Sequence, residues 1–416
     1  MRTKLGVGVK SCLCNKSSLK IVANGGVGLS LLLLSFTAAA DQFDTLNYSL
    51  SAGMIYDNNI FRLPSTVDPQ LAIGKPTKSD HIQAESLGID LDKKYSNQDI
   101  QFKANATNNK FSTFSYLNYF NTAYNAAWNW NLATRFSGSV SDTRTQTLNS
   151  FTDIHSYTRN LTTVDTKRLN GDWWFESNWH ALLGATDSKT TSSQSVINNQ
   201  SYIAKSTEWG LRYIPADGSS ISFISRTVRG TYINGNLNYF LQMDTEYSES
   251  QKEFNFNWQL SGKSMLSGNL ININHRYPTF NKRDYSGTQG GLSYFWNISD
   301  KTGMNISANR TISGWYDLAS SYYISDATSV APTWQISTRT NMHFSYTRSQ
   351  VDYRGPIISN TIERLDTIQS KELGLDWSPQ RSVKLSASVQ NASRSTNYLN
   401  YEYADKSANL FLQITF

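Results

Sequence analysis

Cysteine is almost missing from this chain: its 416 residues include only Cys12 and Cys14, both near the N-terminus. From residue 15 on, disulfides, thiol nucleophiles and cysteine metal sites are excluded. Charged residues make up 17% and hydrophobic ones 39%, against about 25% and about 45–50% in ordinary soluble domains. A chain this short of both cannot readily build a multi-domain soluble core. Proline is scarce too, at 8 residues, whereas Trp, Tyr and Phe number 11, 23 and 19. Disordered chains show the opposite bias, few aromatics and much proline. Beyond residue 41 no apolar run approaches the roughly 20 residues of a membrane helix. What fills the chain is Ser, Thr, Asn and Gln, about a third of all residues.

The net charge of +6 is local, because Arg2, Lys4, Lys10, Lys16 and Lys20 precede residue 40 with no acid among them. The remainder is close to neutral, which removes the basic face that nucleic-acid binding needs. The cationic stretch, the apolar run Ile21 to Phe36 and Ala38-Ala39-Ala40 form the three parts of a secretory signal. Residues 1–40 are therefore expected to be cleaved, the cysteines leaving with them, and residues 41–416 to form a single domain. Neither cysteine stands at the cleavage point, where a lipoprotein would need one.

The dominant pattern after residue 41 is period-two alternation, the signature of strands with one apolar face. Ala408, Leu410, Leu412, Ile414 and Phe416 alternate with a polar set broken only by Phe411. Val383, Leu385, Ala387 and Val389 alternate with Ser382, Lys384, Ser386, Ser388 and Gln390. The same holds for Met304, Ile306 and Ala308, and for Phe254, Phe256 and Trp258. Leu385 and Leu410 are expected to face outward near mid-bilayer, with Ser386 and Asn409 facing inward. A soluble sheet with one wet face would also alternate.

An internal repeat separates the two readings. Tyr95, Trp130, Phe175, Tyr213, Trp258, Trp296, Trp334 and Trp377 each close an apolar alternation and precede a short polar turn, at spacings of 35 to 45 residues. Longer polar segments, such as Thr186 to Gln200 and Ser313 to Ser321, lie between the units. A row of aromatics at one level, short turns on one side and long loops on the other describe a transmembrane β-barrel. Propeller blades repeat at a similar length, but they need neither an apolar face set against a polar one nor a terminal strand ending in Phe416. The expectation is an all-β, antiparallel, up-and-down barrel of about 18 strands (16–20) in a Gram-negative outer membrane. Its outer face meets lipid, and Phe416 serves as the signal for the barrel-assembly machinery.

The first unit holds one distinctive segment, Tyr56-Asp57-Asn58-Asn59-Ile60-Phe61-Arg62-Leu63-Pro64. Together with the repeated Trp-turn pattern it resembles the outer-membrane barrels encoded with exopolysaccharide synthesis genes, the EpsL-like family. That resemblance implies a role in exporting a polysaccharide or its fragments, with other export components as partners, and supplies no catalytic motif. Read physically, Asp57, Asn58 and Asn59 are turn formers and Arg62 is placed to pair with Asp57. The segment therefore either ends strand one and shapes the first loop, or works at the pore mouth, where Asp57, Asn58, Asn59, Phe61 and Arg62 would contact a solute.

Alternation places Glu208, Arg212, Arg226, Glu253, His343, Glu372, Asp376 and Lys384 on the inward face, where mixed charges and amides would meet a permeant or stiffen the barrel by cross-strand pairing. The five histidines lack metal-ligand spacing, and neither a nucleophile elbow nor a phosphate-cradling loop is present. No enzyme activity, cofactor or metal is expected. Two further readings share these features: a general diffusion porin for small solutes, and a plugged structural or adhesive barrel.

Overall fold

The structure, a computed structural model, describes residues 45–416 apart from 154, 195–200, 216 and 359–360. The expected signal, residues 1–40 with Cys12 and Cys14, lies outside the described residues. Eighteen strands follow in order among the described residues. The first nine are β1 (Leu46–Asp57), β2 (Asp80–Tyr95), β3 (Gln98–Phe111), β4 (Tyr119–Ala133), β5 (Phe136–Leu148), β6 (Leu161–Glu176), β7 (Trp179–Ser192), β8 (Tyr202–Tyr213) and β9 (Ser220–Tyr232). The second nine are β10 (Glu246–Ser261), β11 (Ser264–Arg276), β12 (Tyr285–Asn297), β13 (Thr302–Gly314), β14 (Tyr322–Ser337), β15 (Thr340–Arg354), β16 (Leu365–Gln380), β17 (Val383–Thr396) and β18 (Tyr403–Thr415).

Each strand pairs antiparallel with its sequence neighbours, and β1 pairs with β18, so the sheet closes. Closure leaves the sheet without a free edge strand, which is the condition for sheet in a bilayer. Tyr48 and Phe416 complete the closing seam by exchanging backbone hydrogen bonds at 2.9 and 2.8 Å. Within that seam Phe411, the exception to its strand's alternation, turns inward opposite Gly53. A Cβ at residue 53 would lie 2.2 Å from the Phe411 ring, so glycine makes room for this inward-facing ring.

Short turns join the strands on the periplasmic side, and longer loops, here L1 to L9 in chain order, join them on the other. L1 carries a short helix, α1 (Pro69–Ile73), capped by Asp68, whose side chain accepts from the Gln70 amide. The eight aromatics of the repeat sit at the periplasmic strand ends, on the same strand faces as the outward Leu, Val and Phe residues. Tyr95 is 73% exposed and Trp377 47%. The polar segment from Thr186 begins as strand, since β7 runs to Ser192.

The register puts Leu385 opposite Trp377, level with the aromatic belt, and Leu410 one step higher opposite Ala387. Both face outward as expected from alternation, but Leu385 is lower than mid-bilayer. The residues nearest the middle of the apolar band are the paired Leu373 and Val389.

Candidate functional site

Two seams of the barrel are incomplete toward the loop side. The β4–β5 ladder stops at Tyr124↔Arg144 although both strands continue, and the β12–β13 ladder stops at Gly290↔Arg310. Above Arg310, Ile312 lies on the same strand face yet is buried against the inward-facing Ile273 and Tyr285. The top of the β13–β14 hairpin therefore passes inside the β11–β12 wall. Gly287 permits the overlap, because a Cβ there would meet Ile312 Cδ1 at 2.6 Å. The β5–β6 hairpin does the same: Leu148, on the outward face of Arg144, packs into the cluster of inward-facing Phe111. Each split is bridged by an amide side chain. Asn121 Nδ2 donates to Gln146 O at 3.2 Å, and Ile312 N donates to Gln289 Oε1 at 3.0 Å.

The consequence is that L3, after β5, and L7, after β13, enter the lumen. L3 crosses to the β15–β18 wall, where Asp153 Oδ1 accepts from Arg394 Nη2 at 2.8 Å and Arg364 Nη2 at 3.1 Å. Arg394 and Arg364 are nearly buried and share Asp366, which is wholly buried. Tyr353 OH lies 3.5 Å from Asp153, and Trp315 of L7 packs on the Tyr353 ring at 5.4 Å between centroids. The two entering loops thus meet at Tyr353. Beside them His155 of L3 stacks on Tyr401 at 4.7 Å, and burial lowers its pKa from 6.5.

L7 is held on its other side by L5 and L6. Arg283, in L6, is 1% exposed and donates to the carbonyls of Leu241 and Gln242 in L5 and of Trp315 and Asp317 in L7, at 2.6 to 3.2 Å. Burial lowers its pKa, opposed by the phenols of Tyr277 and Tyr316 and by Asp317. Tyr316 of L7 hydrogen-bonds Tyr232 at 2.7 Å and Tyr277 at 3.2 Å. Burial raises the Tyr316 and Tyr277 phenols above their usual range.

Residues Asp57 to Arg62 end β1 and build the start of L1. Asp57 accepts from the Asn59 amide at 2.7 Å and pairs with Arg62 at 2.8 Å. The fully buried Asn59 side chain spans Leu63 N and O and reaches Ala404 O. Asn58 Oδ1 accepts from Lys406 N at 2.7 Å, tying L1 to β18. Phe61 is fully buried among Phe114, Phe151 and Tyr157, which leaves no ring face for a sugar. Asn58 and Arg62, the latter also 3.5 Å from Asp405, keep partial access.

Below the mouth the structure brings four of the eight expected lumen residues onto one wall. Glu208 takes Arg168 at 2.6 Å and Arg226 at 2.7 Å, and Arg226 continues to Glu253 at 3.3 Å. Arg212 pairs with Asp172, which also holds His180 Nδ1 at 2.7 Å. The other four stand on the β15–β17 wall. Asp376 pairs with Lys384 at 3.3 Å and accepts from Ser386 Oγ at 2.5 Å. His343 fills the space left by Gly374, and Glu372 lies one inward step above. Sequence reasoning missed Arg168 and Asp172, although their alternation with Leu169 and Trp173 marks them inward. It also missed Asp153, Arg364, Asp366 and Arg394, whose meeting carries no local signal.

Neither a protein-family model nor a curated protein matches the sequence. Solved structures share the fold. The outer-membrane protein OpdK of Pseudomonas aeruginosa superposes with TM-score 0.50 at 10% identity, covering 89% of this chain and 99% of that one. OccK2 (OpdF) of the same organism, solved with glucuronate, gives 0.52 at 9%, covering 89% and 98%. A BenF-like porin from Pseudomonas fluorescens Pf-5 gives 0.50 at 9%, covering 89% and 99%. These porin likenesses overturn the assignment to the exopolysaccharide-operon family, whose distinctive segment here is a buried loop scaffold, and the polysaccharide-export role falls with it. The chain is an outer-membrane β-barrel with the 18-strand architecture of porins.

Proposed function

We propose that this barrel is a passive channel for small hydrophilic solutes with weak charge selectivity. The observation that carries it is the ladder Arg168–Glu208–Arg226–Glu253. It places fixed charges along the inner wall while pairing each cation with a carboxylate. Selectivity follows from pore width and lining groups, and a paired lining offers hydrogen bonds without a deep well for either sign of ion. OpdK has been solved with vanillate and OccK2 with glucuronate, both small carboxylates. Here the arginines are already neutralised, which favours uncharged solutes over carboxylates.

The test is purified, heat-modifiable barrel in planar bilayers and in liposomes. Steady conductance, a reversal potential near zero in a KCl gradient, and swelling by monosaccharides that falls off with solute size are expected. A folded barrel that carries no current would transfer the assignment to a structural barrel, a reading favoured by the meeting of L3 and L7 at Tyr353.

A further inference from the structure

The outer wall carries a groove of about 920 Å³ where the β12–β13 ladder ends. Phe254 and Phe256 form one flank, Leu270 and Leu292 line its apolar part, and the small outward residues Gly290 and Ala308 form its floor. All six share the lipid-facing strand side with the aromatic belt, so whatever fills the groove is a lipid of the surrounding leaflet.

At the loop-side end the lining turns polar, with Arg310, Asp326, Arg348, Thr288 and Thr328. Asp326 lies eight residues above Trp334 along β14, about 20 Å up a tilted strand. That height is near the outer edge of an apolar band about 25 Å tall, where headgroups begin. Arg310 clasps Asp326 through Nε and Nη2, both at 2.6 Å, and leaves Nη1 outside that pair. Arg348 makes no ion pair among the described residues. A guanidinium facing lipid at this level is costly unless an anion meets it, and its planar donors match phosphate.

We propose that this groove is a binding site for a phosphorylated glycolipid of the outer leaflet. One acyl chain lies along Phe254, Phe256 and Leu292, the phosphate sits on Arg348 and Arg310, and the sugar hydroxyls meet Thr288 and Thr328. The leaflet follows from the side: the groove opens toward L6 and L7, opposite the short turns.

Native mass spectrometry of the full detergent-solubilised barrel tests this with diphosphorylated lipid A, the same lipid A without phosphate, and phosphatidylethanolamine. Retention of the phosphorylated lipid is expected, lowered roughly tenfold by Arg348→Gln, the loss of one charge-assisted contact. Ala308→Phe, which fills the floor from outside, should lower it as well. Equal retention of the dephosphorylated lipid or of phosphatidylethanolamine, or retention unchanged in Arg348→Gln, overturns the proposal. If Ala308→Phe fails to give heat-modifiable barrel, Arg348→Gln carries the test, since its side chain is exposed. Single-channel conductance reads the channel function separately, so either idea can fail alone.

Discussion

Asp153 and Arg394 are 241 residues apart in sequence, yet Arg394 Nη2 donates to Asp153 Oδ1 at 2.8 Å. That contact, with Arg364 as second donor, fastens L3 to the far wall of the mouth. Asp153→Ala should release L3 and leave two buried guanidinium groups a partner short. Larger or more strongly fluctuating single-channel currents are expected, with β-barrel content unchanged by circular dichroism. Current traces that match the parent would show that L3 does not limit the channel.

His155 gives this latch a pH dependence. Its pKa is lowered by burial first, with Asp153 raising it and Arg394 and Arg364 lowering it. The surrounding groups are Asp153, Arg364, Arg394, Tyr157 and Tyr401. A docked-state pKa below the free value means docking favours the neutral ring. Stabilisation is fully present above about pH 6.5 and is lost as pH falls through that value toward the lower, docked one. Current fluctuations should therefore rise between pH 7.5 and pH 5, and His155→Phe should flatten that part of the response.

Gly53 and Phe411 lie directly opposite each other in the closing seam. Gly53→Ala should destabilise closure by about 1–3 kcal/mol, the usual cost of overpacking, read as a lower urea midpoint in lipid vesicles. Phe411→Ala in the same chain should restore most of the loss. An equal or larger deficit in the double variant would mean that the ring is not the obstacle.

The register assigns opposite environments to neighbours on β17. Val389 is outward and 55% exposed, whereas Ser388 accepts from Asn409 Nδ2 at 3.1 Å on the inward side. Val389→Arg should cost about 2–4 kcal/mol, and Ser388→Arg should fold normally while changing conductance. Similar folded yields for the two would place the register in error.

Deleting Phe416 removes the two backbone hydrogen bonds with Tyr48 that complete the closing seam. Reduced heat-modifiable barrel in outer-membrane fractions is the expected result, and unaltered amounts would refute it.

The architecture was legible because a membrane barrel repeats one rule: side chains alternate between lipid and lumen. Leu410 beside Asn409 and the aromatic-turn repeat ending at Trp377 were enough to count strands, orient the faces and place Glu208, Arg226 and Lys384 on the inner side. The pairings Arg168–Glu208 and Arg212–Asp172 depend on which residues stand opposite across a seam. That register is set by turn lengths that single-residue patterns locate only loosely.

The sequence by itself determined an alternating, aromatic-girdled barrel whose strands are local objects. Only the tertiary structure decided that two ladders split, at Tyr124↔Arg144 and Gly290↔Arg310, and send L3 and L7 inward. It also decided that Phe61 is a buried anchor, and that Asp153 meets Arg364 and Arg394. Alternation reports which face a residue takes within its own strand. Ile312 and Leu148 obey that alternation and are nevertheless covered, because their hairpins pass inside the neighbouring wall, and the contacts that hold them there come from distant segments of the chain.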